Sequence, residues 1–474
     1  MNKKIHKIGA GLVSIFTIIT FLSAGQSANA AGTIYVNDSQ STLSGDIGSA
    51  YVIGGTGSSS IAGGDNAITG DGIRKVGQAA VPTPDPGDDG STISVKNNIA
   101  RVGLYYYYNN ARDTALLSAN LQNKVGSGYQ FGYYDSTRVF HGMGGTTETA
   151  ITMTPTGAGQ EVTVTQTGTG RVLYVHNGGS GTRLAVRPNS NSGKAETWFK
   201  GHTYYGDFEY FRYVGNKLTV INVLDLEDYI KGVVPYEMSP SWPLEALKAQ
   251  ALCARTYFAS SSNYGQYGFD LTGDTYSQAY LGTERANSAT DAAVDATAGK
   301  YITYNGKLCS TFYFSSDGGG TEDCENIFVA ALPYLRGVID PYEQDVPASM
   351  NSYKSWQREF TGEQLAAKVG LSGAVVSVSP EYSDTNNVIR LTLSNASGDS
   401  KTLTKYACCT GLSLPSVHYT ITQSGNTFVI DGSGWGHNVG MSQWGAYSMA
   451  KNHGMNANQI IKFYFTGVKI STGV

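Results

Sequence analysis

The stretch GVVPYEMSPSWPLEALKAQALCARTY, residues 232–257, holds the strongest helix signal in the chain. Ser241 is a capping candidate and Pro243 suits a first turn, so a helix is expected from Leu244 to about Ser260. Apolar residues recur along this helix at a spacing of about 3.6 residues. That pattern predicts one buried face, formed by Leu244, Leu247, Ala251, Ala254 and Phe258.

Two cationic residues, Lys248 and Arg255, share one flank of this predicted helix. At about 100° per residue, Arg255 lies roughly 60° from the centre of the apolar stripe. A guanidinium at that position is not fully solvated, so it needs an anionic or polar partner. A structural ion pair and a role in a site would both meet that need, and the residues alone leave the two open.

Glu237 lies between a Pro-Tyr pair and a proline-containing turn, after a short helix predicted from about Asp225 to Lys231. A loop of this kind could hold a carboxyl at the wall of a cleft. Composition alone favours a solvated surface glutamate, so a functional role needs a more specific signal. Burial beside apolar neighbours would disfavour the charged form, as suits a general acid, and those neighbours are Val233, Val234, Tyr236, Met238 and Trp242.

The segments before this stretch predict strands. Residues 209–223 read as a hairpin with Gly215-Asn216 as its turn. Between Ile93 and Phe199, runs such as 99–105 and 162–166 alternate apolar and polar residues between turn residues. We therefore expect an α+β fold: a small β-rich domain over residues 93–200, then a mixed α+β domain with an open cleft over residues 201–474.

The amino terminus has the three parts of a secretory signal peptide over residues 1–30. Lys3, Lys4 and Lys7 precede an apolar stretch, and Ala28-Asn29-Ala30 is a cleavage site of the A-x-A type. An uncleaved membrane anchor is the alternative, because the apolar stretch approaches spanning length. Residues 31–92 are rich in Gly, Ser and Asp and predict a flexible arm or linker. The expected location is outside the cell, at the cell wall.

Composition indicates a globular protein whose partner is not a polyanion. The 474 residues are 41% hydrophobic and 15% charged, with a formal net charge of −4 and 32 tyrosines. We expect no nucleic-acid partner, since no long basic run follows the first residues. Tyrosine rings can stack on sugars, although Tyr-rich strands are also ordinary sheet surface. The glycines at 432, 434, 436 and 440 lack a preceding βαβ unit, so we expect no nucleotide.

The cysteine pattern predicts at most two disulfides, with the pairing open, and no zinc site. No C-x-x-C pair occurs, and no local window gathers enough Cys and His ligands for zinc. The five cysteines are Cys253, Cys309, Cys324, Cys408 and Cys409.

Residues 232–257 closely resemble the signature of the stage II sporulation protein D family, also called SpoIID/LytB. Two later segments resemble the same family. FSSDGGGTE at 314–322 is similar to its Ser-x-Gly-Gly-x-Thr loop, and GWGHNVGMSQWGAYSMA at 434–450 is similar to its Gly-His-Gly-Val-Gly-Met-Ser-Gln-x-Gly-Ala block. The last block departs from the pattern at Asn438, where the family usually has glycine. The ordered motifs span about 205–468.

The resemblance implies a peptidoglycan lytic transglycosylase that cuts between N-acetylmuramic acid and N-acetylglucosamine, preferably in glycan stripped of its peptides. Glu237 would be the catalytic acid and base, and Arg255 would position it or bind substrate. Glycan strands are the implied partner, with a cell-wall amidase as a second one. The alternatives are a non-catalytic amidase enhancer and a glycan-binding wall protein. Role in sporulation, division or wall turnover stays open.

We expect the substrate to be bound by residues from all three motifs, and we expect no cofactor. Some family members carry zinc near the Gly-Gly loop, but this chain offers Asp317 and Cys324 there without a histidine or second close cysteine, so no metal is expected. The candidate substrate-binding residues are Tyr236, Trp242, Lys248, Ser315, Ser316, Gly318, Gly319, Thr321, His437, Ser442 and Gln443.

A single carboxyl suffices for this reaction. A hydrolytic glycosidase usually needs two carboxyl groups, at roughly 5–5.5 Å or 6.5–9.5 Å separation. In a lytic transglycosylase the sugar's own C6 hydroxyl attacks C1 and gives a 1,6-anhydro product. The nearest candidates for a second carboxyl read more simply as solvated helix residues: Asp225, Glu227, Asp228 and Glu245.

Overall fold

The computed structural model describes residues 90–474 except 96–97, 109–110 and 262–263. The predicted signal peptide and nearly all of the predicted arm lie outside these residues. The described chain divides into two compact units. Unit 1 comprises residues 90–311 with the C-terminal residues 469–474, and unit 2 comprises residues 312–468.

Strands and helices both contribute, which confirms the α+β class. The strands are Thr92–Ile93 (β1), Ile99–Tyr105 (β2), Tyr107–Tyr108 (β3), Arg112–Asp113 (β4), Ala119–Val125 (β5), Tyr129–Tyr134 (β6), Phe140–Thr146 (β7), Ala150–Pro155 (β8), Val162–Gln166 (β9), Val172–His176 (β10), Leu184–Pro188 (β11), Glu196–Phe199 (β12), His202–Tyr204 (β13), Asp207–Phe211 (β14), Thr219–Asp225 (β15), Leu271–Thr272 (β16), Lys300–Tyr304 (β17), Lys307–Leu308 (β18), Tyr313–Phe314 (β19), Trp356–Thr361 (β20), Val375–Tyr382 (β21), Val388–Asn395 (β22), Ser400–Thr404 (β23), Tyr419–Ser424 (β24), Thr427–Gly432 (β25), Met441–Ser442 (β26) and Lys469–Gly473 (β27). The helices are Leu226–Glu237 (α1), Leu244–Ser260 (α2), Ser288–Ala296 (α3), Cys324–Ile327 (α4), Gly362–Val369 (α5), Ala407–Thr410 (α6), Gln443–His453 (α7) and Ala457–Tyr464 (α8).

Unit 1 is built on a seven-stranded sheet of order β16-β2-β15-β14-β11-β6-β7. The predicted hairpin is confirmed as β14 paired with β15, with Phe211 opposite Thr219. The strands expected at 99–105 and 162–166 are confirmed as β2 and β9. Because β2, β6, β7 and β11 share this sheet with β14 and β15, the expected domain boundary near residue 200 falls inside unit 1 and does not coincide with the division at 311/312.

Unit 1 also contains two larger sheets and a short antiparallel pair of β3 with β4. One has six strands in the order β10-β9-β8-β5-β12-β13. The other has the order β1-β27-β17-β18, so the last strand of the chain lies between β1 and β17. Many tyrosines of this unit are core residues, among them Tyr106, Tyr129, Tyr210 and Tyr229, each at most 1% exposed. Much of the high tyrosine content therefore serves packing.

The helix predicted from Leu244 to about Ser260 is confirmed as α2. Its cap differs from the prediction, because Pro243 occupies the cap position and no side chain caps the helix. The Ser241 hydroxyl instead bonds that of Ser239 at 3.0 Å. The predicted core face is buried at Leu247, Ala251, Ala254 and Phe258. Leu244, the first residue of the helix, is 42% exposed and does not belong to this face.

Unit 2 contains two three-stranded antiparallel sheets, β20-β25-β24 and β21-β22-β23. A short parallel pair, β19 with β26, joins the beginning of this unit to its last third. The core includes Trp444 and Tyr464, both fully buried. This pairing brings two segments together that lie more than a hundred residues apart in the sequence.

All five cysteines are buried, and no disulfide joins any two of them. Among the helices of the described residues, none is both long and apolar enough to cross a membrane.

Replacing Leu247 by Ala should lower the free energy of unfolding by about 2–5 kcal/mol, because a buried leucine leaves a cavity. Replacing Leu244 by Ala should change it by only about 0.5 kcal/mol, since that side chain is largely exposed. Urea unfolding of the two variants measures the difference. Equal losses would contradict the observed orientation of α2.

Candidate functional site

Glu237 is the last residue of α1, not a loop residue. The sequence predicted that this helix ends near Lys231, but it continues through Pro235. A proline there removes one amide donor near the end of the helix, and the amide of Met238 still donates to the Val234 carbonyl at 2.9 Å. The carboxyl therefore projects from a regular helix end, which holds it more rigidly than a loop would.

The carboxyl of Glu237 accepts a hydrogen bond from the backbone amide of Ala279 at 2.7 Å. Two buried phenols, Tyr229 and Tyr257, lie close enough for its charge to act on them. Burial, with smaller contributions that include Glu237, raises the pKa of both, so each stays neutral at physiological pH. Glu237 thus lies in a partly buried setting of neutral polar groups.

The segment 278–284 is the part of this site that the sequence did not indicate. Besides the Ala279 amide, it supplies Gln278, whose amide nitrogen donates to the Tyr229 hydroxyl at 3.0 Å. Tyr280 packs against α1 at Gly232, where an added Cβ would lie 2.4 Å from a ring carbon. Because these contacts join residues 42 to 49 positions apart, no local pattern could have revealed them.

Arg255 pairs with Glu227 and not with Glu237. Its Nε and Nη2 donate to the two carboxylate oxygens of Glu227 at 2.8 and 2.7 Å. The guanidinium is fully buried, and it also donates to the hydroxyl of Thr297 and the carbonyl of Val294 at 3.3 Å each. These bonds join the start of α1 to α2 and to the end of α3. Of the two roles that the sequence left open for Arg255, the structure shows the structural ion pair.

The other candidates in unit 1 lie near α1 and α2 in different settings. The Tyr236 hydroxyl donates to the Leu281 carbonyl at 3.2 Å, and Tyr236 and Trp242 are 7% and 8% exposed. Lys248 pairs with Glu245 of the same helix at 2.7 Å. Tyr236 and Trp242, which lie close to Glu237 in the sequence, are therefore largely buried by packing. Lys248 forms an ordinary ion pair within its own helix.

The two glycine-rich motifs meet inside unit 2. Phe314 pairs with Ser442 across β19 and β26, and Ser316 forms a bridge with Trp435. Asn438, which replaces the usual glycine, adopts a left-handed conformation with φ of 59°. Asparagine tolerates this conformation better than most residues, and its amide donates to the carbonyls of Asp317 and Gly320 at 2.9 and 3.1 Å. Asparagine at this position thus preserves the turn and adds two hydrogen bonds between the motifs.

The carboxylate of Glu343, which the sequence did not single out, accepts hydrogen bonds from the Gly-Gly loop. The amides of Asp317 and Gly318 donate to its carboxylate at 2.9 and 3.2 Å. The hydroxyls of Ser316 and Ser442 donate to it as well. Burial, then the nearby Asp340, raises the pKa of Glu343. The loop donors expected to bind sugar are thus engaged within the unit.

The remaining motif residues of unit 2 are also held internally. The amide of Gly319 donates to Asp317 Oδ1 at 2.7 Å, and the Thr321 amide donates to the Val338 carbonyl at 2.9 Å. Ser315 and Gln443 are each 4% exposed. These residues order the loop in the described structure, and their role in binding substrate stays a prediction.

His437 packs among three phenyl rings, with centroids 5.2–6.2 Å away, those of Phe312, Phe314 and Phe328. Its Nδ1 accepts from the amide of Val439 at 3.1 Å. Burial lowers the pKa of the imidazole to about 4. The ring is therefore neutral at physiological pH and belongs to an apolar cluster.

Comparisons with known proteins agree with the motifs. A family model described as Stage II sporulation protein matches residues 214–304, which include Glu237, Arg255 and Ala279. Stage II sporulation protein D of Bacillus subtilis is 33% identical over 272 residues, covering 52% of this chain and 75% of that protein. The chain belongs to the SpoIID/LytB family.

Other relatives extend the similarity. An uncharacterized protein of Brachyspira hyodysenteriae is 37% identical over 283 residues, or 57% of this chain and 73% of that protein. The Amidase enhancer of Bacillus subtilis is 29% identical over 290 residues, or 51% of this chain and 40% of that protein. In this SpoIID/LytB chain, the matched family segment comprises the part of unit 1 where α1, α2 and the segment 278–284 meet.

Replacing Arg255 by Met should lower the free energy of unfolding by about 3–5 kcal/mol, because it leaves Glu227 without its buried partner. The matched control is Lys248→Met on the same helix, which breaks a partly exposed pair and should cost at most about 1 kcal/mol. Urea unfolding measures both. An Arg255→Met protein with wild-type stability but no activity would point instead to a role in substrate binding.

Acid should destabilise the protein through His437. Its pKa is about 4 in the folded chain and about 6.5 when unfolded, so the unfolded state binds more protons between these values and stability falls as the pH drops. Relative to His437→Gln, the wild type should lose about 1–3 kcal/mol more between pH 7 and 4.5 in urea unfolding. His418, with a pKa also lowered to about 4, titrates in both proteins. Parallel pH profiles would disprove the assignment.

Proposed function

We propose that this protein is a secreted peptidoglycan lytic transglycosylase with Glu237 as its acid and base. Its substrate is the bond between N-acetylmuramic acid and N-acetylglucosamine in glycan stripped of its peptides, and its product ends in 1,6-anhydro-N-acetylmuramic acid. The observation that carries the proposal is the position of Glu237: a partly buried carboxyl at a helix end, anchored by the Ala279 amide at 2.7 Å. Family membership supports the substrate class.

The anchored geometry fits a group that must both give and take a proton. Glu237 protonates the glycosidic oxygen as the bond from C1 to that oxygen breaks. The C6 hydroxyl of the muramyl residue then attacks C1, and the Glu237 carboxylate takes the hydroxyl proton. The Ala279 hydrogen bond stabilises the carboxylate formed between these steps. Atoms balance without water, and the carboxyl ends in its starting state.

The candidates for a second carboxyl are engaged elsewhere, which supports intramolecular transfer over hydrolysis. Glu227 is bound by Arg255, and Asp228 pairs with Lys194 at 2.5 Å. Both lie in the first turn of α1. A helix rise of about 1.5 Å per residue places them roughly 14–15 Å from Glu237 along the axis, beyond the separation used by hydrolases. Asp225 caps α1 by accepting from the Glu227 amide.

Arg255 acts in this proposal as a positioning residue. Its pair with Glu227 fixes the start of the helix that ends at Glu237. The guanidinium is fully buried, and the Glu227 side chain is 27% exposed. A substrate group could not reach the guanidinium without displacing Glu227.

Digestion of amidase-treated peptidoglycan by the full chain should release anhydro-muramyl products detectable by mass spectrometry. Glu237→Gln should reduce their formation by about 10²–10⁴-fold, because the amide cannot transfer the proton. Glu245→Gln is the matched control: it makes the same chemical change at a surface ion pair and should keep activity within about twofold.

Two results would overturn the proposal: the absence of anhydro products with the wild type, or full activity in Glu237→Gln. Thermal unfolding of each variant checks that losses do not come from misfolding.

The similarity to an amidase enhancer favours one second candidate, stimulation of a cell-wall amidase without glycan cleavage. Adding the Glu237→Gln protein to a purified autolytic amidase distinguishes the two. Undiminished stimulation, together with no anhydro products from the wild type, would support the enhancer role.

A further inference from the structure

Three carboxylates of unit 2 lie together without a cationic partner. Asp317, Asp340 and Glu343 each offer an oxygen, and these oxygens all lie within 4.8 Å of one another. Their side chains are 0%, 1% and 3% exposed. Within the described chain, no lysine, arginine or histidine forms an ion pair with any of the three. Three adjacent acidic groups, buried away from water, need their negative charge balanced by a bound cation or by protonation.

Two of the three carboxylates have hydrogen-bond donors on both oxygens. Glu343 accepts from the amides of Asp317 and Gly318 and from the Ser442 hydroxyl, the last at 2.6 Å. Asp340 accepts from the Tyr464 hydroxyl at 2.5 Å on one oxygen and from the amide of Tyr342 at 2.8 Å on the other. These donors orient both side chains, but none of them carries a charge.

Asp317 differs, because only one of its oxygens is satisfied. Oδ1 accepts from the amide of Gly319 at 2.7 Å. Oδ2 is buried and has no hydrogen-bond partner in the described structure. An unpaired buried oxygen of a carboxylate is costly, and it lies in a group whose other members are also acidic. This oxygen is therefore the atom of the cluster that is available to a positively charged ligand.

We propose that Asp317, Asp340 and Glu343 bind one hard divalent cation of the class of Ca²⁺, Mg²⁺ and Mn²⁺. An all-oxygen set of carboxylates is the ligand type these ions prefer, whereas structural zinc usually takes Cys and His. The expectation of no metal was based on the lack of Cys and His ligands, and this donor set is of a different kind. The site is independent of the activity proposed for Glu237.

The cation would hold together three separate segments of unit 2. Asp317 belongs to the Gly-Gly loop. Asp340 comes just before a short 3-10 helix, Glu343–Asp345, which Glu343 begins. Ser442, whose hydroxyl donates to Glu343, caps α7. Binding would therefore order the loop that carries Gly318 and Gly319 against the second glycine-rich motif. Its expected effect is on stability.

The test uses the full chain, stripped of metal with a chelator and passed through gel filtration. Addition of Ca²⁺, Mg²⁺ or Mn²⁺, each alone, should raise the Tm by about 5–10 °C at a hundredfold excess over Kd for the ion that fits. Elemental analysis after desalting should find about one equivalent of that ion per chain.

Asp317→Asn keeps the size of the side chain and an oxygen for Gly319 but removes one charge. It should lose the bound metal and the metal-dependent rise in Tm, while its metal-free Tm equals or exceeds that of the wild type. Asp340→Asn, which can still accept from Tyr464, is a second variant with the same expected loss. Glu322→Gln is the matched control, since Glu322 is a buried carboxyl of the same unit outside the cluster and should keep the full response.

The proposal is overturned if none of the three ions binds or raises the Tm of the wild type. A proton shared by Asp317 and Asp340 would then balance the cluster, and the Tm would rise as the pH falls. Binding of Zn²⁺ alone would likewise overturn the assignment to a hard cation.

Discussion

The buried pair between Arg255 and Glu227 is the constraint on which the helical part of unit 1 depends. A fully buried guanidinium must have an anionic partner, and Glu227 supplies both carboxylate oxygens at 2.7–2.8 Å. The same guanidinium also donates a hydrogen bond to the carbonyl of Val294 at the end of α3. One side chain thus fixes the relative positions of α1, α2 and α3. Any shift of α1 would take Glu227 away from a guanidinium that is fully buried and has no access to water.

Glu237 benefits from this constraint because it lies at the other end of α1. The helix is a rigid rod of twelve residues, so fixing its first turn also limits where its last turn can lie. The far end is fixed separately, by the close approach of Tyr280 to Gly232 and by the Ala279 amide on the carboxyl. Two independent anchors therefore act on one helix, and the acidic group is located by packing instead of by a flexible loop.

The sequence predicted the parts of this arrangement that rest on local pattern. The period of α2, the hairpin of β14 and β15 and the need of Arg255 for a partner all follow from residues close together in the chain. The sequence did not predict which carboxylate meets Arg255, because Glu227 lies 28 positions away and the choice is made by helix packing. It also ended α1 too early, at about Lys231, whereas the helix continues through Pro235 to Glu237. The contribution of residues 278–284 and of Glu343 arises only when distant segments meet.

The two glycine-rich motifs show why a motif residue need not be exposed. Their amides and hydroxyls look, in the sequence, like donors available for a sugar. In the fold, the donors of Ser316, Asp317 and Gly318 converge on one buried carboxylate, and Asn438 donates to the loop carbonyls from the other motif. An internal acceptor of this kind fixes a glycine-rich loop that would otherwise lose much conformational entropy on ordering. A further consequence follows from charge: the acceptor that orders the loop is anionic, and it lies among other buried acids, so the order of the loop depends on how that negative charge is balanced.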